Sequence, residues 1–126
     1  MDVTDMTQKY LDTYVLVEIT RGNPKFAAYL TENFILSDLT LAEFYSVVLR
    51  EQGEEAAEGW AHKLATYSEP VDLETLLAAV RFRRENKGTN MSFIDAVGYT
   101  CSRLRGYAFV TGDKAFEKCD GVEYVK

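Results

Sequence analysis

Short apolar runs alternate along this chain with longer segments whose apolar residues recur at helical spacing. The runs predict a strand in KYLDT that ends at Asp12, and further strands at FILS (34–37), YAFVT (107–111) and GVEYV (121–125). A fifth, short extended segment is predicted at 68–72, because a residue that precedes proline avoids the helical region. The run YAFV lacks polar alternation, which is typical of a strand buried on both faces of a parallel sheet.

Helical periodicity predicts the segments between the strands. The clearest helix carries Leu73, Leu76, Leu77 and Val80 at the i, i+3, i+4, i+7 spacing, with Gly88 as its C-cap. The other helices are predicted near 15–21, 24–30, 40–52, 53–67 and 92–105. Strands that alternate with helices of this length predict an α/β fold with a parallel β-sheet flanked by helices on both faces.

Composition sets the class of protein. The chain has 126 residues, 47% of them hydrophobic, which fits one folded domain over 1–126 and excludes a disordered chain. No apolar run approaches the roughly 20 residues that span a bilayer. The start, MDVTDMTQKY, is polar and acidic, unlike a signal peptide. We therefore expect a cytoplasmic protein with no membrane contact.

Charge and the rare residue types exclude several functions. The net charge of −6 disfavours a protein that binds nucleic acid by bulk electrostatics, although it permits metal ions at clustered acids. The two cysteines, Cys101 and Cys119, form no CxxC motif, so small buried thiols are the expected reading. The single histidine, His62, lies in a polar helical stretch, which favours an exposed side chain over a zinc ligand or a catalytic base.

Four acidic residues occur where a parallel sheet presents ligands, just beyond strands or in the first turn of a following helix. They are Asp12 after the first strand, Glu43 three residues after Thr40, Asp95 three residues after Ser92, and Asp113 after FVTG. Thr40 with Glu43 and Ser92 with Asp95 also match a capping box, so helix capping is the alternative role for these two acids. Clustered carboxylates repel, and Mg²⁺ or Mn²⁺ removes that penalty while activating water for phosphodiester hydrolysis.

These residues, taken in order, resemble the PIN-domain family, and in particular the small VapC-like toxins of prokaryotic toxin–antitoxin pairs. The resemblance rests on Asp12-Thr13, Leu39-Thr-x-x-Glu43, Asp95-Ala96 and Thr111-Gly-Asp113-x-x-Phe116, and it covers nearly the whole chain. One departure is Tyr14, which stands where the family commonly has a small polar residue such as Asn.

The resemblance implies a metal-dependent endoribonuclease that hydrolyses RNA, forms a homodimer and is bound by a cognate antitoxin. It further implies that Asp12, Glu43, Asp95 and Asp113 ligate Mg²⁺ or Mn²⁺. Thr111, together with Thr13, would hydrogen-bond the ligands or water. Glu117 is the alternative to Asp113 as the last acid of the site.

The roles of the basic residues and of the helix that carries Trp60 stay open. The basic run Arg81 to Lys87 fits a solvated helix end or an RNA-backbone contact, and Lys114 is a candidate phosphate contact. The helix that carries Trp60 could line a dimer interface or an antitoxin groove.

Two other classes of α/β protein also need acids after the first strand. A phosphoacceptor receiver domain needs an acidic pair after the first strand, and a haloacid-dehalogenase-type phosphatase needs a second Asp two residues after the first; neither is present beside Asp12. A non-catalytic PIN-like module that binds RNA or protein stays open as the alternative function.

Overall fold

A computed structural model describes residues 8–126, so the first seven residues of the predicted domain, including most of the acidic start, lie outside the described residues. Five parallel strands form one sheet in the order β3-β2-β1-β4-β5. They are β1 (Lys9–Leu11), β2 (Phe34–Ser37), β3 (Ser68–Glu69), β4 (Ala108–Thr111) and β5 (Val122–Tyr124). The predicted parallel α/β fold is confirmed.

Six helices within the described residues cover both faces of this sheet. They are α1 (Thr13–Thr20), α2 (Pro24–Ala27), α3 (Asp38–Gln52), α4 (Glu54–Leu64), α5 (Leu73–Glu85) and α6 (Phe93–Arg105). Short 3₁₀ turns follow at Ala28–Thr31, Ala65–Tyr67, Lys87–Thr89 and Lys114–Phe116. None of the helices in this part of the chain is long and apolar enough to cross a membrane.

The two faces of the sheet build two hydrophobic cores. Successive strand residues point to opposite faces, so Leu11, Leu36 and Val110 pack with α1, α3 and α4. Their neighbours Tyr10, Ile35 and Phe109 pack with α5 and α6 in the second core. Central strands buried on both faces explain why YAFV carries no polar alternation.

Side-chain caps fix the points where strands give way to helices. Asp12, Ser37 and Ser92 each accept a hydrogen bond from the backbone N–H three residues later, at Val15, Thr40 and Asp95. Because β1 and β2 lie side by side, the helices that follow them start at the same edge of the sheet. The local sequence therefore sets where several acids emerge.

Two predicted helix boundaries are wrong. The helix α3 begins at Asp38, capped by Ser37, so Thr40 is not an N-cap and Glu43 lies in the second turn rather than in a capping box. The helix α5 ends with Asn86 as its C-cap instead of Gly88. The reason is local bonding: the Asn86 amide and backbone both donate to the carbonyl of Phe82, at 2.9 and 3.1 Å.

The apolar side of α5 is only partly used by the core. Leu73, Leu77 and Val80 remain 68%, 51% and 51% exposed, whereas Thr75 and Ala79 are buried. The predicted helix is therefore confirmed, but most of its large apolar residues do not face the sheet. We call Leu73, Leu77 and Val80 the α5 stripe.

Candidate active site

Asp12 is a buried carboxylate at the centre of the sheet edge. It follows β1, the middle strand, and only 2% of its surface is exposed. One carboxylate oxygen accepts a hydrogen bond from the Val15 N–H at 3.1 Å, and the other accepts one from the hydroxyl of Thr111. No cationic side chain among the described residues pairs with it. Asp12 therefore carries an uncompensated charge whenever it is ionised.

Thr111 connects Asp12 to Asp113. It ends β4, which pairs directly with β1, and its hydroxyl accepts a hydrogen bond from the Asp113 N–H at 3.0 Å. Asp113 in turn accepts the Ala115 N–H at 3.0 Å, which fixes one of its oxygens. The Thr111 hydroxyl therefore donates to the Asp12 carboxylate and accepts from the Asp113 backbone, and it restricts the orientation of both residues.

Glu43 and Asp95 come from helices on opposite faces of the sheet. The hydroxyl of Thr13 donates to Glu43 at 2.5 Å, across from the first turn of α1 to α3. Asp95 lies in the first turn of α6, and its backbone N–H donates to the Ser92 hydroxyl at 3.1 Å. Both carboxylates are half-buried. Asp95 thus has the cap environment that its sequence predicted, whereas Glu43 is oriented by Thr13.

The pKa values show that the acids form one electrostatic cluster. Burial raises the pKa of Asp12 to about 8, and the negative charges of Asp95 and Asp113 add to that effect against the hydrogen bonds from Thr111 and Val15. Burial likewise raises the pKa of Asp95 to about 7, and the negative charges of Glu43 and Asp113 add to that effect. Without a cation, neutral solution therefore leaves protons on part of the cluster.

The carboxylate oxygens of the cluster are the type of donor that a divalent ion such as Mg²⁺ prefers. Oxygen ligands and uncompensated negative charge suit Mg²⁺ or Mn²⁺, and Mg²⁺ keeps several waters instead of requiring a full protein cage. Among residues 8–126, however, no three acidic, histidine or cysteine side chains lie close enough to grip one ion together. The chemistry of the cluster fits a hydrated ion, and direct ligation by all the acids would need side-chain movement.

The remaining predicted residues lie at or beyond the rim of the cluster. Glu117 and Lys114 are exposed beside Asp113, and Glu117 makes no hydrogen bond to the other acids in the described part of the chain. His62 is exposed on α4, as predicted, and Trp60 packs edge-on against Phe44 with 6.3 Å between ring centres. Cys101 is buried and Cys119 half-buried, and both are free thiols.

One contact at the site was missed by sequence reasoning. The ring of Tyr14 lies against the backbone of Gly112, so closely that a Cβ there would be 2.2 Å from the Tyr14 Cε1. Gly112 lies between Thr111 and Asp113. The Tyr14 ring also packs edge-on against Phe26, with 5.8 Å between the ring centres. The missing side chain of Gly112 leaves room for this aromatic ring, and no local sequence pattern marks the contact.

A five-stranded parallel sheet with acids gathered at the strand ends defines a class of α/β domain, and the PIN-domain family model matches residues 9–122. The chain therefore belongs to the PIN-domain family. No curated protein matches the sequence significantly.

Solved structures of toxins share this fold. The toxin VapC20 of Mycobacterium tuberculosis, described as cleaving the sarcin-ricin loop, aligns with a TM-score of 0.71 and 19% identity over 90% of this chain and 92% of its own. A toxin–antitoxin complex from Klebsiella pneumoniae gives 0.75 and 19% over 91% and 95%. DNA-bound VapBC from Salmonella typhimurium gives 0.72 and 21% over 95% and 98%. At such identities the likeness shows the fold, which is that of the VapC toxins.

Proposed function

We propose that this protein is a Mg²⁺- or Mn²⁺-dependent endoribonuclease and the toxin of a type II toxin–antitoxin pair. The observation that carries the proposal is the cluster of Asp12, Asp95 and Asp113 at one edge of the sheet, where no salt bridge among residues 8–126 compensates their charge when they are ionised. Such a cluster raises the energy of the metal-free protein, and a divalent ion would relieve the repulsion. Family membership and the toxin fold support the same conclusion.

The four acids, Asp12, Glu43, Asp95 and Asp113, would hold the metal, with one or more contacts made through water. A bound Mg²⁺ or Mn²⁺ supplies a more acidic water and offsets charge on the phosphate that is cleaved. Thr111 holds the Asp12 carboxylate in place, and Thr13 does the same for Glu43. Asp95, whose pKa is raised by burial and by the charges of Glu43 and Asp113, can release a proton as the ion binds.

The proposed partners follow from the surface and from the relatives. Leu73 and Leu77 of the α5 stripe are exposed apolar residues that a second copy of the chain would cover in a homodimer. Related folds were solved as toxin–antitoxin complexes, which supports a cognate antitoxin for this chain in the cytoplasm.

The test is cleavage of a panel of structured RNAs with Mg²⁺ or Mn²⁺, using wild type, Asp95→Asn and an EDTA control. We expect Asp95→Asn to lower the cleavage rate at least about 100-fold, because it removes one charge from the metal site with little change of volume. Asp120→Asn is the matched control, since it makes the same chemical change at an exposed acid and should retain full activity. Equal cleavage by wild type and Asp95→Asn would contradict the proposal.

A non-catalytic PIN-like module that binds RNA or protein is the second candidate. It is favoured by the absence, within residues 8–126, of three acids close enough to hold one ion directly. Titration calorimetry with Mn²⁺ separates the two. The nuclease requires Mn²⁺ binding that Asp12→Asn weakens. The non-catalytic module predicts that no Mn²⁺ is bound and that no RNA is cleaved.

A further inference from the structure

A groove whose lining carries several charged side chains begins at Asp113 and leads away from the other acids. Its first part is a cleft of about 650 Å³, whose lining includes Asp113, Lys114, Glu117 and Lys118. Its second part is a cleft of about 410 Å³, whose lining includes the cations Arg83, Arg84 and Lys87 together with the apolar Val80 and Met91. Asn86 and Asn90 line both clefts, so the two adjoin. We call the two together the basic groove.

The charge of the basic groove changes along its length. The cleft next to the cluster holds two acids and two lysines, while the far cleft holds three cations and no acid. Lys87, Lys114 and Lys118 are exposed, and none forms an ion pair with any described residue. A chain with a net charge of −6 thus concentrates free positive charge beside its acidic cluster. That arrangement suits a polyanion whose reacting group sits at the acids.

The groove wall between the clefts is fixed by short hydrogen bonds. Asn86 donates to the Phe82 carbonyl at 2.9 Å, and the Thr89 hydroxyl donates to the Asn86 carbonyl at 2.7 Å. The chain then turns at Asn90, whose φ of 63° is left-handed. A fixed backbone in this wall lowers the ordering penalty of binding a charged ligand, although the exposed lysine side chains still lose freedom.

We propose that the basic groove binds the phosphates of single-stranded RNA on one side of the bond that is cleaved. The inference rests on the proposed function, because an RNA cut at the cluster must continue past Asp113 into the groove. The lining contains no aromatic ring, so the contacts are to the backbone rather than stacked bases. The groove therefore supplies affinity with little sequence preference.

The experiment measures binding of a fluorescent single-stranded oligouridylate in EDTA, so that the readout is independent of metal and of cleavage. The variant is Lys87→Glu/Lys118→Glu, which reverses one cation in each part of the groove. The control is Arg50→Glu/Lys63→Glu, which changes the net charge equally at two exposed cations on α3 and α4. Cleavage of the RNA panel with metal is measured in parallel for all proteins.

We expect the groove variant to bind about tenfold or more weakly than the control at low salt. We also expect its slope of log affinity against log salt to be shallower by about 1.4, which is the loss of two single-strand phosphate contacts. Equal affinities and slopes for the two double variants would overturn the inference. So would unchanged oligouridylate binding together with lost binding of a glutamate-rich peptide, which would assign the groove to protein. Absence of metal-dependent cleavage in wild type would sink the nuclease instead, and the binding data would still decide the groove.

Discussion

At the scale of single residues, Gly112 determines the path of the chain between two members of the acidic cluster. Its missing side chain leaves room for the Tyr14 ring, because a Cβ at this position would lie 2.2 Å from the Tyr14 Cε1. The Tyr14 ring is itself held by Phe26. The positions of Thr111 and Asp113 therefore depend on a packing contact as well as on hydrogen bonds.

We predict that Gly112→Ala destabilises the protein by about 1–3 kcal/mol, since overpacking forces the Tyr14 ring or the backbone to move. Cleavage activity should fall with it because Asp113 shifts. Chemical denaturation and RNA cleavage are the measurements. Gly88→Ala is the control, because a Cβ at Gly88 meets no atom within 4 Å.

The double variant Tyr14→Ala/Gly112→Ala tests the cause. Removing the ring should relieve the clash, so the loss from Gly112→Ala should be smaller in a Tyr14→Ala background than in wild type. Additive losses would show that the contact between Tyr14 and Gly112 is not what constrains this position.

At the scale of elements, α5 packs one side against the sheet and leaves the α5 stripe uncovered. Large apolar residues on a helix usually face the core, so 51% exposure of Leu77 in the middle of α5 points to a second surface that covers it. The homodimer proposal belongs to this helix.

We predict that wild type is a dimer in analytical ultracentrifugation and that Leu77→Lys shifts it to monomer, because each dimer would bury two unpaired charges. Leu49→Lys is the control: it changes another partly exposed leucine, on α3, and should leave the dimer intact. A monomeric wild type, or a Leu77→Lys dimer of unchanged affinity, would contradict the assignment of the α5 stripe.

Elements were also where the sequence was most informative, and their ends were where it failed. FILS and AFVT are strands as predicted, because short apolar runs between helical segments have few other readings in an α/β chain. The capping box at Thr40 was wrong because Ser37, at the end of β2, caps α3 one turn earlier. A local motif cannot reveal which of two nearby hydroxyls the strand end will favour.

The candidate site was predictable in part for the same reason. Strand ends in a parallel sheet share one edge, so Asp12 and Asp113 could be paired from order alone. The Tyr14–Gly112 contact and the exposure of the α5 stripe depend on packing between distant segments, which periodicity does not encode. Thr13 could be associated with the site, but its bond to Glu43 depends on how α1 and α3 pack.

At the scale of the whole molecule, the acidic cluster links folding to pH. The folded pKa of Asp12 is about 8, against 3.8 for an unperturbed Asp, so between those values the folded state holds a proton that the unfolded state has released. The contribution of Asp12 to folding stability is therefore fully present below the unfolded pKa of 3.8 and is lost as pH rises toward 8. Asp95, with a pKa of about 7, acts in the same direction.

We predict that the metal-free protein loses on the order of 2–4 kcal/mol of unfolding free energy between about pH 5 and about pH 8. Denaturant titrations in EDTA measure this loss. Asp12→Asn should flatten the profile, and Mn²⁺ should restore more stability at the higher pH, where the acids are ionised. A stability that rises over this range in wild type, with no response to Mn²⁺, would contradict the charge cluster.

The bond between Thr111 and Asp12 joins residues 99 positions apart, and it forms only after β4 has docked beside β1. During synthesis, β4 leaves the ribosome long after β1, because β2, β3 and the helices α1 to α6 lie between them in the chain. A growing chain therefore carries Asp12 while it still lacks Thr111, the hydrogen-bond partner that fixes this carboxylate, until β4 has been made. The nuclease site proposed above is therefore incomplete while the ribosome reads the codons between β1 and β4.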